Sequence, residues 1–333
     1  MEYAGVVLIL IVAIHLYFKI AERYGIADEP GIRSSHQRVT IRGGGVIVPI
    51  AYICLLLFHP GLLAQQPVVA FSVGLLLVCI VSFVDDLANI PPPIRLFVQA
   101  LSVSCLFYFF GAFSLPMWTI PLVYILAVGI LNAYNFMDGI NGMTGLHTLM
   151  TLLFLLYINR YMYEFVDARF IVYPILATVV FLFFNFRKNA KCFIGDIGSM
   201  ALGFWVLALL GLLIRETGNF KWILFLTVYG AETVLTMVER LRLGENIFQP
   251  HRIFLFQLLV NERKMDHRLV STLYTLLQAF VNLLVIGLFG WDWLLSIIIV
   301  LAVGFLYIGV KASVRRQIEH AESSELQHRA RSL

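Results

Sequence analysis

Charge is what this 333-residue sequence has least of: 13% of its residues are Asp, Glu, Lys or Arg, against 60% hydrophobic. A water-soluble domain carries about 25% charged residues, so too few are present to cover a water-facing surface, and a soluble enzyme is excluded. Cysteine is also scarce. Of four, Cys54, Cys79 and Cys105 lie inside apolar runs and only Cys192 sits in a polar loop. That distribution supports neither a disulfide framework nor a Cys/His zinc site. GxGxxG and Walker A patterns are both missing, which removes dinucleotide binding and P-loop hydrolysis, and no serine motif supports a Ser–His–Asp hydrolase. There is no internal repeat, low-complexity tract or heptad pattern.

What the sequence does have is apolar length. Its roughly 200 apolar residues suffice for about ten membrane helices of some 20 residues each. Eleven runs stand out, at about 3–20, 43–58, 68–84, 96–111, 119–136, 142–158, 170–186, 199–214, 221–238, 269–289 and 293–310. The expected fold is all-α, a polytopic integral membrane helical bundle of 10–11 transmembrane helices. Residues 1–310 are expected to form one transmembrane domain, and 311–333 a charged cytoplasmic tail. The first run lacks a basic leader and a small-residue cleavage site, so it reads as a retained anchor. Of the 24 Lys and Arg, 20 fall on one side of this topology, and only Arg160, Arg169, Arg215 and Lys221 on the other. Positive charge marks the cytoplasmic side, so the N-terminus faces out and the C-terminus in. A basic face on anionic lipid accounts for the net charge of +4, without nucleic acid. Apolar lipid-facing surfaces leave a homodimer open.

Carboxylates near a bilayer are costly and mark function by default. Here they recur: Asp85 and Asp86 in VSFVDDLANIPPPIRLFVQ, Asp138 in NAYNFMDGINGM, and Asp196 in FNFRKNAKCFIGDIGSMALGF. All end or begin a span on the expected cytoplasmic side, where ERLRLGENIFQPHRIFLFQ adds His251 and Arg252. Each piece alone has an ordinary explanation: a solvated helix cap for Asp–Asp, a turn for NxxN beside glycine, a topology signal for Arg–Lys. Together they make a carboxylate-lined cleft with basic groups opposite. That composition suits Mg²⁺ on a diphosphate, since Mg²⁺ takes one or two carboxylates plus phosphate oxygens and water. A carboxylate base beside a metal, with Arg and Lys facing phosphoryl oxygens, points to phosphoryl transfer.

These segments resemble the polyprenyl-phosphate N-acetylhexosamine-1-phosphate transferases. The resemblance rests on SFVDDL with Arg95 beyond it, NAYNFMDGINGM, AKCFIGDIGSMALG and the PHR of 250–252, in the family's order between about 28 and 268. It implies a multispan enzyme of the bacterial cytoplasmic membrane, its active site facing the cytoplasm. In it, undecaprenyl phosphate attacks the β-phosphorus of a UDP-HexNAc, UDP-GlcNAc first among them, and releases UMP to initiate a cell-surface polysaccharide. Carried over by position, Asp196 and Asn135 hold Mg²⁺, with Mn²⁺ as a substitute. Asp85 is the base, Asp86 keeps the geometry or a metal-bound water, and Asp138 tunes the site. Arg95 holds the lipid phosphate, Asn141 and Phe193 meet uracil, and His251 and Arg252 meet sugar and diphosphate. Asn185 and Lys191 complete the substrate contacts, and the early loop of SSH and TIRGGG is expected to touch substrate. Phe254 stands where the family often has a second histidine. Two alternatives stay open: the lipid I enzyme, whose relatives carry three histidines where this chain reads HRIF, and a non-catalytic polyprenyl-phosphate binder or transporter.

Overall fold

The computed structural model describes residues 1–29, 38–88, 90–246, 252–287 and 293–331, with side chains up to His320 and that of Ser323. Its helices are α1 (Glu2–Tyr24), α2 (Ile47–Phe58), α3 (Gln66–Ala88), α4 (Pro92–Phe110), α5 (Ile120–Met137) and α6 (Met143–Tyr161). They continue as α7 (Arg169–Asn185), α8 (Gly195–Thr217), α9 (Thr227–Arg242), the one-turn α10 (Leu255–Gln257), α11 (His267–Gly287) and α12 (Trp293–Arg331). Within the described residues each apolar run falls mainly on one of these helices, those at 43–58 and 221–238 beginning on the short 3-10 turns Gly44–Val46 and Phe220–Leu226.

Eight segments among the described residues are long and apolar enough to cross a bilayer: α1, α3, α4, α5, α8, Phe220–Arg242, α11 and Trp293–His320. Gly44–Phe58 and Arg169–Asn185 are shorter. Helix α6 has 19 residues, but Thr144, His147, Thr148 and Thr151 dilute its apolarity. All four are buried, so its polar side faces the bundle and not the surroundings.

Helix α8 is the hub. Of its most apolar stretch 83% is buried, against 11% for α12, which lies at the edge. A helix apolar on all sides belongs inside a bundle, and α8 packs against α3, α5 and α6. Trp205 in its middle is fully buried and donates its indole N–H to the Phe170 carbonyl at 2.9 Å. The last turns of α3 and α5 and the first turn of α8 meet at one end, which brings three acidic motifs together. At the other end, Glu2 accepts hydrogen bonds from His59 (2.8 Å) and Tyr173 (2.7 Å), tying α1 to α7 and to the end of α2.

A small β-structure closes the first end. Strands β1 (Ala27–Asp28) and β2 (Thr40–Ile41) pair antiparallel, and Ile41 forms a parallel bridge to Cys192. The GGG of TIRGGG then runs beside the FIGD segment, with Gly44 N–H donating to the Phe193 carbonyl (2.8 Å) and Gly45 N–H to that of Ile194 (2.9 Å). A Cβ on Gly45 would lie 2.6 Å from the Ile194 oxygen, so only glycine permits this approach.

Candidate active site

Consecutive residues on an α-helix point about 100° apart, so Asp85 and Asp86 at the end of α3 face different partners. Asp85 turns to the start of α4. Its two oxygens accept from the Ile90 N–H (2.6 Å) and from Arg95 Nη1 (2.5 Å), and Pro92 in the first turn of α4 sets the helix that carries Arg95. Asp86 turns to the N-terminus of α8, where it accepts the N–H groups of Asp196 (3.1 Å) and Ile197 (3.3 Å). A carboxylate there satisfies two N–H groups that lack intrahelical partners. Gly195 makes room for it: its φ is +71°, and a Cβ would meet Asp86 Oδ2 at 2.8 Å.

The Arg42 guanidinium joins the two motifs, 2.7 Å from Asp86 and 3.3 Å from Asp196. The Asp86 side chain is 2% exposed, Asp85 9% and Asp196 21%. Asp86 is therefore committed to holding α8 and Arg42, while Asp85 and Asp196 line a cavity of about 560 Å³. Arg95 and Asn135 line it too, and Asn135 stands beside Asp196.

These donors fit Mg²⁺. Among the described residues no group of three or more His, Cys, Asp or Glu forms a metal cage. Asp196 and the Asn135 amide oxygen are hard ligands on one side of an open cavity, the partial set expected when a substrate diphosphate completes the coordination. Three carboxylates, Asp85, Asp86 and Asp196, stand against two guanidiniums, Arg42 and Arg95. The excess negative charge favours a cation.

Asp138 caps the end of α5 and accepts the Thr144 hydroxyl at 2.8 Å. Burial pushes its carboxyl up to about 7; the Thr144 bond opposes the rise, and the charges of Asp196 and Asp86 add to it. Between the ordinary carboxylate value and about 7 the folded chain keeps a proton that the unfolded chain has released. Stability from this group therefore falls as pH rises through that window and stays low above it. Asp138→Asn, neutral throughout, is expected to raise the thermal midpoint in detergent more at pH 8 than at pH 5. Equal shifts at both pH values would contradict a proton-holding Asp138.

None of the remaining sequence-derived site residues that the structure describes lines the cavity. Asn185 is a buried brace: its Oδ1 accepts Gly142 N–H (2.7 Å) and its Nδ2 donates to the Cys192 carbonyl (2.9 Å), tying the loop after α5 to the loop before α8. Asn141 is 4% exposed and donates Nδ2 to the Arg187 carbonyl (2.9 Å), while its Oδ1 has no hydrogen-bond partner among the described residues. Phe193 is half-buried on a backbone clamped by Ile41 and Gly44. Lys191 is exposed and Arg252 half-buried. His251 lies outside the described residues.

Sequence reading alone gave no site role to several groups. Arg42 lies in the TIRGGG loop expected to touch substrate, but the sequence assigns it no role of its own. His267 Nδ1 accepts the Asn141 N–H at 3.3 Å from a helix read simply as a span. Ser82, Gln99, Asn132, Thr233 and Gln257 also line the cavity, and their one sequence signal is a polar residue inside or beside an apolar run. Glu232, which the sequence offers either as a buried carboxylate supporting the site or as a helix-end residue, is 1% exposed and accepts Leu255 N–H and the Tyr274 hydroxyl, both at 2.5 Å. It thereby anchors α10, which presents Phe254 and Gln257 to the cavity.

Comparison with known proteins bears on the same segments. Residues 68–214, which carry the DD, NAYN and FIGD motifs, match the model of glycosyl transferase family 4. A Bacillus subtilis protein named "Probable undecaprenyl-phosphate N-acetylglucosaminyl 1-phosphate transferase" is 25% identical over 307 residues, covering 87% of this chain and 77% of the relative. The undecaprenyl-phosphate alpha-N-acetylglucosaminyl 1-phosphate transferase of Salmonella typhi is 27% identical over 311 residues (84% and 78%). That of Yersinia pestis is 27% identical over 293 residues (79% and 74%).

Proposed function

We propose that the chain, whose residues 68–214 match glycosyl transferase family 4, is a phosphoglycosyl transferase that moves N-acetylglucosamine 1-phosphate from UDP-GlcNAc to undecaprenyl phosphate, releasing UMP. The observation that carries this reading is the shared cavity. Asp85, Arg95, Asn135 and Asp196 come from four helices and line one space at the end of a membrane bundle. A lipid phosphate in the bilayer and a nucleotide in the cytoplasm can meet there.

In the proposed reaction an oxygen of the lipid phosphate forms a bond to the β-phosphorus, and the bond from that phosphorus to the oxygen bridging it to the α-phosphate breaks. The electron pair leaves with UMP. Asp196 and Asn135 would hold Mg²⁺, which neutralises diphosphate charge when bound. Arg95 orients the lipid phosphate, and its ion pair with Asp85 keeps that carboxylate beside the incoming monoester. Asp85 takes whatever proton the monoester still carries. Asp86 positions α8, and Arg42 screens Asp86 from Asp196.

The nucleotide rests on the opposite flank. Asn141 Oδ1, a buried acceptor without a protein donor among the described residues, suits the imide N–H of uracil, and the Phe193 ring suits its face. Arg252 and His251 serve the sugar and diphosphate side, with Lys191 at the rim and Asn185 bracing both loops. The active site faces the cytoplasm of a bacterial inner membrane, in keeping with the 20-to-4 distribution of Lys and Arg.

The direct test is UMP release by purified protein supplied with Mg²⁺, undecaprenyl phosphate and a panel of UDP-sugars. UMP should form only when all three are present, fastest with UDP-GlcNAc, and EDTA should stop it. Turnover in EDTA would remove the metal from the account, and preference for a UDP-sugar without the N-acetyl group would remove the assigned donor.

A further inference from the structure

The cavity has two tiers. The charged tier holds Asp85, Arg95, Asn135 and Asp196. About one helical turn further along three of the same helices, away from the loops, stand Ser82 on α3, Gln99 on α4 and Asn132 on α5, and α9 adds Thr233. These four are neutral, and all line the cavity. Polar groups at this depth are costly unless they are hydrogen-bonded, so their pairing reveals what they are for.

They are not all paired with each other. Asn132 Nδ2 donates to the Val128 carbonyl (2.8 Å) and to Gln99 Oε1 (2.9 Å). Because a carbonyl fixes Asn132 Nδ2 as donor, the Gln99 atom facing it must be the oxygen. The Gln99 Nε2 hydrogens are therefore the uncommitted donors of a side chain whose residue is 5% exposed. The Thr233 hydroxyl is buried and has no hydrogen-bond partner among the described residues. A helix-interior threonine ordinarily returns its hydroxyl to the carbonyl a turn earlier; this one does not.

The surroundings indicate which ligand comes this deep. Leu96 and Phe136, large and exposed on the outside of the bundle, form part of the same cavity wall, so the space borders the region where lipid lies. Gly129, a further turn along α5, also lines the cavity, and a Cβ built there would meet nothing within 4 Å. A polar tier followed by an apolar opening suits a phosphate headed by a hydrocarbon chain. A nucleotide has no apolar part to place there.

We infer that Gln99 and Thr233, with Asn132 orienting Gln99, form a neutral donor tier that binds the phosphate oxygens of the polyprenyl phosphate acceptor from the membrane side. Neutral donors fit this depth because they hydrogen-bond an anion without placing another full charge in the bilayer. They also supply contacts that Arg95 cannot, since Asp85 already occupies part of its guanidinium. This inference rests on the proposed acceptor being a polyprenyl phosphate.

Thr233→Val tests it sharply. It replaces a hydroxyl that bonds to no protein group by a methyl of equal shape, so a purely structural Thr233 would leave everything unchanged or stabilise the fold. Binding of undecaprenyl phosphate in detergent micelles and of UMP would be measured on the full chain, together with KM for each substrate. The expected result is an about fivefold to tenfold rise in Kd and KM for the lipid phosphate, with the Kd of UMP unmoved. Thr233→Ser should restore lipid binding, and Gln99→Leu should repeat the loss. Wild-type lipid affinity in both Thr233→Val and Gln99→Leu would overturn the donor tier while leaving the transferase reading intact. A loss confined to UMP would move the tier to the nucleotide. No binding of undecaprenyl phosphate by the unaltered protein would overturn the acceptor, and the tier with it.

Discussion

Asp196→Asn is expected to lower turnover by about a thousandfold, the upper range for removing one fixed electrostatic contact to a transferring group, with the protein still folded. The fold survives because the side chain is a cavity wall and not a core element. It is 21% exposed, and an asparagine oxygen still accepts from Arg42. The N-terminus of α8 is held by Asp86 through the backbone N–H groups of residues 196 and 197, which the substitution leaves in place. What is lost is one negative charge beside Asn135, the charge proposed to retain Mg²⁺ on the diphosphate. Turnover at saturating Mg²⁺ and the thermal midpoint in detergent are the two readouts. Wild-type turnover would remove Asp196 from metal binding, and a collapsed midpoint would make it a structural residue.

Asp85→Asn should reduce kcat by about a hundredfold at pH 6, within the usual range for a general base, and leave the affinity for UDP-GlcNAc nearly unchanged. The carboxylate is bound to Arg95 and the Ile90 N–H, on the α4 side of the cavity and away from the nucleotide flank. Its effect should depend on pH in a definite direction. A phosphate monoester loses its second proton near pH 6, so below that value the acceptor needs a base and above it the dianion does not. The deficit of the variant therefore shrinks as pH rises from 6 to 8. A deficit constant across that range would contradict a proton-accepting role and favour one in which the carboxylate itself bonds to phosphorus. A raised KM for UDP-GlcNAc with unchanged kcat would make Asp85 a nucleotide-binding residue.

The helices were legible because lipid-facing and core-facing residues are both apolar, so composition alone marks the runs. Helix α6 shows where that rule weakens. Its Thr144, His147, Thr148 and Thr151 are polar yet buried, so hydropathy rates it below its neighbours although it is a full helix within the bundle. The acidic motifs were legible as rare charges at helix ends. Their division of labour was not, because it depends on which way each carboxylate turns. Asp85 and Asp86 are adjacent in sequence, yet one lines the cavity and the other holds the start of α8 from 110 residues away. The role of Arg42 was hidden for the same reason: its loop was expected to touch substrate, but its partners Asp86 and Asp196 are distant in the chain. Gln99 and Thr233 gave a weaker signal still, since a lone amide or hydroxyl in an apolar run is usually paired within the bundle. Only the geometry shows that these two have donors to spare.

The central claim is that the bond broken lies between the two phosphates, and the fate of the β-phosphorus measures it. UDP-GlcNAc labelled at that phosphorus would be incubated with the purified protein, Mg²⁺ and undecaprenyl phosphate, and the lipid and aqueous phases separated. The account predicts that label enters the lipid in a one-to-one ratio with UMP formed, and that Asp196→Asn abolishes the transfer. Label retained in water as UDP, with sugar alone reaching the lipid, would show cleavage at the glycosidic bond and contradict it.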